Sequence, residues 1–358
     1  MTVAVRVSFG PQSGGGHLER ALTLSKAFPK RALIIVGGVL TPDVRERLRS
    51  ESASWIEIET ETSYRADCSL YLHDNRFEHV STFVFDVSNR ATYEKLNELI
   101  ESFEELKEHG KRVIVIDGLG SDSILARVND LHVDFVITPY VGAAKCSGGF
   151  KHLAGPEYFV LSDAYRSSIG AERAIRDNAS RVLVTAGLSD PKGISELALK
   201  ALLAPPGLDE LQVRVVIGAG FSKELTERLH HLTSSSDFEI EIKQYPAGLK
   251  DLMQWADLAI SASGLTKYEL AATGTPALTI SHDELSESAN KAFKSQGSAI
   301  HLGIRGAIAV GDLAAEVRRV MADRPLRARL SQRGRALIDG AGVERIMREI
   351  FGANYGQW

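Results

Sequence analysis

Apolar residues fall in short continuous runs, separated by stretches where they recur every three or four positions. In the first half the runs are Val3–Val7, Ala32–Val36, Trp55–Ile58, Thr82–Phe85, Val113–Ile116 and Phe135–Ile137. Runs without polar alternation are those of strands buried on both faces. Between them helical spacing takes over: Leu18, Ala21, Leu22, Leu24 and Ala27 share one face, and Ala91 to His109 reads as a helix closed by Gly110. Such alternation predicts a parallel sheet wound by helices on both sides.

From Pro139 to Ser180 the pattern breaks up around Gly142, Gly148, Gly149, Gly155 and Pro156. It then restarts with Arg181–Thr185, Val213–Ile217, Phe238–Ile242, Leu258–Ser261 and Pro276–Ile280. The stretch from Leu313 to Ile350 is helical and Arg-rich, and most of its arginines are expected on a solvated face. A chain of 358 residues exceeds what one core usually organises. The expectation is therefore an α/β protein of two Rossmann-like, doubly wound parallel-sheet domains, residues 1–160 and 161–345, followed by a tail at 346–358.

Ligands of such sheets collect beyond the carboxyl ends of the strands, so the chemistry is sought in the turns there. The first turn, Gly10-Pro11-Gln12-Ser13-Gly14-Gly15-Gly16-His17-Leu18-Glu19-Arg20, joins the first strand to the first helix. Gly14, Gly15 and Gly16 let the backbone turn tightly and approach a ligand, and the helix start attracts an anion. His17 falls in or just before the first helical turn, where positive charge is disfavoured and the imidazole can accept a proton. Asp86 and Asp117 end strands on the same edge, where turn or cap roles are commoner than chemistry. Asp117 or Arg20 is expected to steady the His17 ring.

In the second half two βα turns are rich in glycine and hydroxyls. One is Gly187-Leu188-Ser189-Asp190-Pro191; the other, Ser261-Ala262-Ser263-Gly264-Leu265-Thr266, leads into a helix carrying Glu269. Two helix starts of this kind can hold a diphosphate jointly, and an acidic residue two turns on can accept ribose hydroxyls. Asp283, in the acidic turn after the strand ending at Ile280, is placed for sugar hydroxyls or for capping the next helix.

Charge narrows the partners. A net charge of −4 gives no bulk attraction to nucleic acid or to an anionic membrane. Cys68 and Cys146 cannot build a disulfide framework and lack metal-ligand spacing, which fits a cytoplasmic protein. No apolar run approaches the length of a membrane span. Nothing in the sequence bears on oligomeric state.

Taken together, the motifs resemble a known family. Gly14-Gly15-Gly16-His17-Leu18-Glu19-Arg20 is similar to the G-x-GH-x-x-R turn of the pseudaminic-acid-pathway UDP-sugar hydrolases, relatives of the peptidoglycan-precursor N-acetylglucosaminyltransferases. Gly187–Pro191 resembles their GGSDP turn. Ser261–Gly264 with Glu269 and Gly274-Thr275-Pro276 resembles their second nucleotide loop, and Asp339–Arg345 their closing DG-x-G-x-x-R. The resemblance implies a GT-B architecture, two domains facing a cleft. A UDP-sugar would be bound by Gly187, Leu188, Ser189, Ser263, Gly264, Leu265, Thr266 and Glu269, with His17 as the base. Arg20, Asp117 and Asp283 are candidate sugar contacts, and neither metal nor cofactor is implied.

Three positions depart from the family pattern. Arg6-Val7-Ser8 lacks its aspartate, Asp117-Gly118-Leu119 its tyrosine, and Ser281–Ser286 its Asn-Gln pair. In the absence of an apolar or basic patch for a lipid acceptor, the expected reaction is inverting hydrolysis of a UDP-sugar. Inverting glycosyl transfer, with the same base acting on an acceptor hydroxyl, is the alternative. A non-catalytic nucleotide-sugar-binding protein is the third reading.

Overall fold

The computed structural model describes residues 2–10, 16–30, 32–58, 64–87, 95–119, 123–128, 130–205, 210–234, 236, 238–246, 248–352 and 355. The chain forms two compact units, one of Met1–Ser162 with Ala341–Trp358 and one of Asp163–Gly340.

In the first unit the strands are β1 (Thr2–Ser8), β2 (Leu33–Gly37), β3 (Ser54–Ile58), β4 (Val80–Asp86), β5 (Arg112–Ile116), β6 (Phe135–Thr138) and β7 (Lys151–Ala154). They form one sheet in the order β3-β2-β1-β4-β5-β6-β7, every neighbouring pair parallel. The two faces account for the unbroken apolar runs. Val3, Val5 and Val7 enter the core on one side, with Ile114 and Ile116. Ala4, Val113 and Val115 enter the core on the other.

The second unit repeats the plan with β8 (Arg181–Thr185), β9 (Gln212–Ile217), β10 (Glu239–Gln244), β11 (Leu258–Ala262), β12 (Ala277–Ser281) and β13 (Ile300–Ile304). Its all-parallel order is β10-β9-β8-β11-β12-β13. β7 and β13 have no counterpart in the apolar pattern. Both are edge strands, and an edge strand needs less apolar surface: β7 carries exposed Lys151 and half-buried His152, and β13 is interrupted by His301 and Gly303.

The domain boundaries differ from the sequence expectation at both ends. The first unit runs to Ser162 before the chain leaves it, and the stretch read as a tail after residue 345 is part of that unit. Helix Gly342–Phe351 places Ile346, Met347 and Ile350 in the core beside Leu18, Leu22 and Phe28, and Phe351 meets Phe28 edge to face at 5.9 Å. A Cβ on Gly342 would lie 2.2 Å from the Phe159 carbonyl oxygen, so only glycine allows this approach. The Asp339–Arg345 segment is thus where the chain returns to the first unit, with the Arg345 guanidinium donating to the Glu157 carbonyl at 2.8 Å. The Arg-rich stretch is helical, as three helices, but Arg327 is no surface residue: it is buried and donates to the carbonyls of Val320, Arg176 and Asp177. No described helix is long and apolar enough to cross a membrane.

Met347→Ala should lower the stability of the first unit by about 2–5 kcal/mol, the cost of emptying a buried methionine site. Chemical denaturation reads this directly. A free tail would leave the transition where it was.

Candidate functional site

In a doubly wound sheet the connections diverge at one pair of neighbouring strands, leaving a crevice at their carboxyl ends. For the first sheet that pair is β1 and β4. Helix Gly16–Ala27 starts there after β1, and Asp86 is the last residue of β4. Gly16 opens the helix and His17 is its second residue; Gly14 and Gly15 lie outside the described residues.

His17 Nδ1 lies 2.8 Å from Asp86 Oδ1. Arg20, one helical turn on, grips the same carboxylate at both oxygens, Nε to Oδ2 at 2.7 Å and Nη2 to Oδ1 at 2.8 Å. Its Nη1 donates to the Tyr140 hydroxyl at 2.6 Å. All four side chains are buried. Burial alone would raise the Asp86 carboxyl, but the Arg20 guanidinium and the His17 ring hold it well below the usual carboxylate range. A carboxylate only accepts, so the short contact places the ring proton on Nδ1 and leaves the Nε2 lone pair available. This is the geometry of an oriented general base.

Of the two residues expected to steady the ring, Arg20 stands beside it, Nη2 3.4 Å from His17 Nδ1, and also grips Asp86, which supplies the short contact to Nδ1; Asp117 does not take part. Asp117 is fully buried and closes its own loop. It accepts from the Gly118 and Ile124 amides at 2.9 and 2.8 Å and from the Ser123 hydroxyl at 2.5 Å, which leaves it no sugar contact. The i, i+3 spacing of His17 and Arg20 was the available signal for a shared partner; which strand-end aspartate met them depended on strand order.

In the second sheet the divergence lies between β8 and β11, and both glycine- and hydroxyl-rich turns flank it. The Gly187–Ser189 turn is held from behind. A Cβ on Gly218 would fall 2.3 Å from the Leu188 carbonyl oxygen, which also accepts the Gly220 amide at 2.9 Å. The helix that follows, Ile194–Leu202, does not offer its first amides to a ligand: Asp190 takes those of Ile194 and Ser195 at 2.8 and 2.9 Å. The anion-binding capacity of this turn therefore lies in residues 187–189, ahead of the helix. Around β11, Gly264 adopts φ 129° and no side chain caps helix Thr266–Ala272, which carries the half-buried Glu269 in its first turn. Ser263, Gly264, Leu265 and Thr266 thus stand together at the divergence point.

Asp283 is the N-cap of helix Glu284–Ser295. It accepts from the Ser286 amide at 2.9 Å and hydroxyl at 2.8 Å in a reciprocal capping box, so Oδ1 of its carboxylate caps the helix, the second of the two roles expected of it. Two residues with no motif signature, Lys267 and Asn290, lie buried beneath the Ser263 turn.

With the two sites described, comparison with known proteins agrees with the architecture. Residues 181–332 match the model of the glycosyltransferase family 28 C-terminal domain. The chain is 25% identical over 349 residues to the spore coat polysaccharide biosynthesis protein SpsG of Bacillus subtilis, covering 97% of this chain and 96% of that one. It superposes on the crystal structure of Acinetobacter baumannii MurG with a TM-score of 0.68 at 14% identity, over 98% of this chain and 99% of the other. A second solved structure, the S. aureus MnaA-UDP co-structure, gives a TM-score of 0.64 at 12% identity over 98% and 95% of the two chains. The fold is GT-B.

These findings correct the expected reaction. The matched domain is that of a glycosyltransferase family, and the relative matched along the whole chain is a polysaccharide biosynthesis protein, which points to glycosyl transfer in place of the expected hydrolysis. The turn cannot separate the two, because a base that activates water and one that activates a hydroxyl need the same residues.

The Asp86 group yields a prediction with a definite sign. Its folded pKa lies below the unfolded value of ~3.9, so its contribution is complete above that value and is lost as the pH falls beneath it. Asp86→Asn should destabilise the first unit at pH 7 by on the order of 3 kcal/mol, since it leaves a buried guanidinium without its anion. The gap to wild type should narrow below pH ~4. Urea denaturation at pH 7 and pH 3.5 measures it; a gap independent of pH would rule out an ionised Asp86.

Proposed function

We propose that this protein is an inverting glycosyltransferase that uses a nucleoside diphosphate sugar as donor, most simply a UDP-sugar, and a hydroxyl-bearing acceptor. The observation that carries the reading is the buried Asp86–His17 pair at the divergence point of the first sheet. The family 28 match over the second unit supports a nucleotide-sugar donor, and the UDP in a structural neighbour supports the diphosphate form. Likeness to a spore coat polysaccharide biosynthesis protein supports a role in building surface polysaccharide.

In this mechanism His17 Nε2 removes the acceptor hydroxyl proton as the oxygen attacks the anomeric carbon. The bond from that carbon to the phosphate oxygen breaks, and the nucleoside diphosphate leaves with the electron pair. A single displacement inverts the anomeric centre. The imidazolium that forms is stabilised by the ionised Asp86, which Arg20 keeps in place. On the second unit, Gly187, Leu188 and Ser189 with Ser263, Gly264, Leu265 and Thr266 would hold the diphosphate, and Glu269 would accept the ribose hydroxyls. Gly16 contributes the helix start next to His17.

His17→Asn should leave UDP affinity unchanged and lower kcat by roughly 10²–10⁴, the range for loss of a general base. Calorimetry with UDP and turnover with a panel of UDP-sugars and saccharide acceptors provide the two readouts. Near wild-type turnover in this variant would overturn His17 as the base. Glu269→Ala should weaken UDP binding by about 1–3 kcal/mol, and unchanged affinity would remove Glu269 from the donor site.

A further inference from the structure

A buried chain of polar side chains runs beneath the Ser263 turn. Lys267 Nζ donates to Asn290 Oδ1 at 3.2 Å. Asn290 Nδ2 uses both its protons, one on Ser263 Oγ at 2.8 Å and one on Ser281 Oγ at 3.0 Å. Ser281 Oγ in turn lies 3.4 Å from His301 Nε2, and Glu287 Oε2 lies 2.5 Å from the same nitrogen. Lys267, Asn290, Ser281, Glu287 and His301 are all buried, while Ser263 is half-buried in the turn after β11.

The direction of the bonds at Ser263 follows from Lys267, which as an ammonium has only protons to offer. The Asn290 amide must therefore turn its oxygen to Lys267 and its nitrogen to the two serines. Ser263 Oγ is an acceptor on its inner side, so its own proton points away from Asn290. A neutral hydroxyl fixed in that sense is a donor in search of an acceptor. Keeping Lys267 charged here is costly, since burial pushes the amine down to about 7, and the Phe293 and Tyr268 rings, their centres 5.2 Å and 5.8 Å from Nζ, offset only part of that cost. A methionine or leucine would fill such a slot at less cost.

We propose that Lys267 and Asn290 are positioning residues that fix the Ser263 hydroxyl as a hydrogen-bond donor to the diphosphate of the donor nucleotide. The proposal rests on the nucleotide-sugar reading above and extends it to two residues beneath the turn. Asn290→Asp is the discriminating variant. The new carboxylate is nearly isosteric and pairs with Lys267, so the fold is kept. It cannot donate, however, so the Ser263 proton turns inward.

UDP affinity is measured by calorimetry, with thermal midpoints alongside, for wild type, Ser263→Ala, Asn290→Asp, Lys267→Met and each of the latter two combined with Ser263→Ala. Ser263→Ala and Asn290→Asp should each weaken UDP by about tenfold, the usual worth of a hydrogen bond to a charged group. Lys267→Met should weaken it several-fold. In the Ser263→Ala background neither second change should cost more, because the residue they position is gone. Losses that multiply in that background, as a direct effect of charge would produce, overturn the proposal, as does wild-type affinity in Asn290→Asp. Should Lys267→Met not fold, the Asn290 arm decides alone. Wild type that binds none of UDP, GDP, CDP, ADP or dTDP overturns the nucleotide reading itself and this proposal with it.

Discussion

The first unit is arranged around one ionised carboxylate with almost no contact with water. Asp86 ends a strand buried on both faces, where an unpaired charge would cost several kcal/mol. Two Arg20 nitrogens offset that cost, and they come from helix Gly16–Ala27, which follows β1. The same helix carries His17 one turn earlier, so the requirement that neutralises Asp86 also aims the imidazole. Tyr140, on the loop after β6, closes the far side of the guanidinium. Three strands and a helix are thus committed to one charge. The His17 ring is held because the charge it touches cannot be left alone.

The second unit follows the same topology but a different chemistry. Among the described residues its divergence point is marked by two turns of backbone amides and hydroxyls, which suit a phosphate group. Asp190 shows how finely the work is divided. By capping helix Ile194–Leu202 it stops that helix from serving as the anion site and leaves residues 187–189, held in place by the Gly218 contact, to do so.

The interior strands, the parallel order and the position of the His17 turn were legible, because burial on both faces writes itself as uninterrupted apolar runs. What the sequence did not disclose depended on three-dimensional neighbours. Asp86 and Asp117 look alike as strand-end aspartates, yet one meets Arg20 across β1 and the other meets its own loop amides. Asp283 looks like a ligand residue until Ser286 is seen closing its capping box. β7 and β13 were invisible because edge strands tolerate Lys151, His152, His301 and Gly303. Lys267 and Asn290 carried no signal in the sequence, because their burial depends on neighbours from separate elements: Tyr268 and Phe293 flank the amine, and Ser263 and Ser281 meet the amide.

The departures from the resembled family sort by what each position must do. Arg6 lacks an aspartate two residues on, but its guanidinium is buried and must find an anion; Asp67, from helix Tyr64–His73, supplies it at 3.0 Å. Gly37 makes room for the arrangement, since a Cβ there would fall 2.3 Å from Arg6 Nη2. The charge requirement has been kept and only its source has moved. No such substitute stands at the missing tyrosine after Asp117 or at the Asn-Gln position. There the chain has a self-contained aspartate loop and a helix cap, which satisfy the backbone and offer nothing in place of the lost side chains. Positions that balance a buried charge are constrained by the protein's own energetics, whereas positions that would face a sugar are constrained only by the substrate.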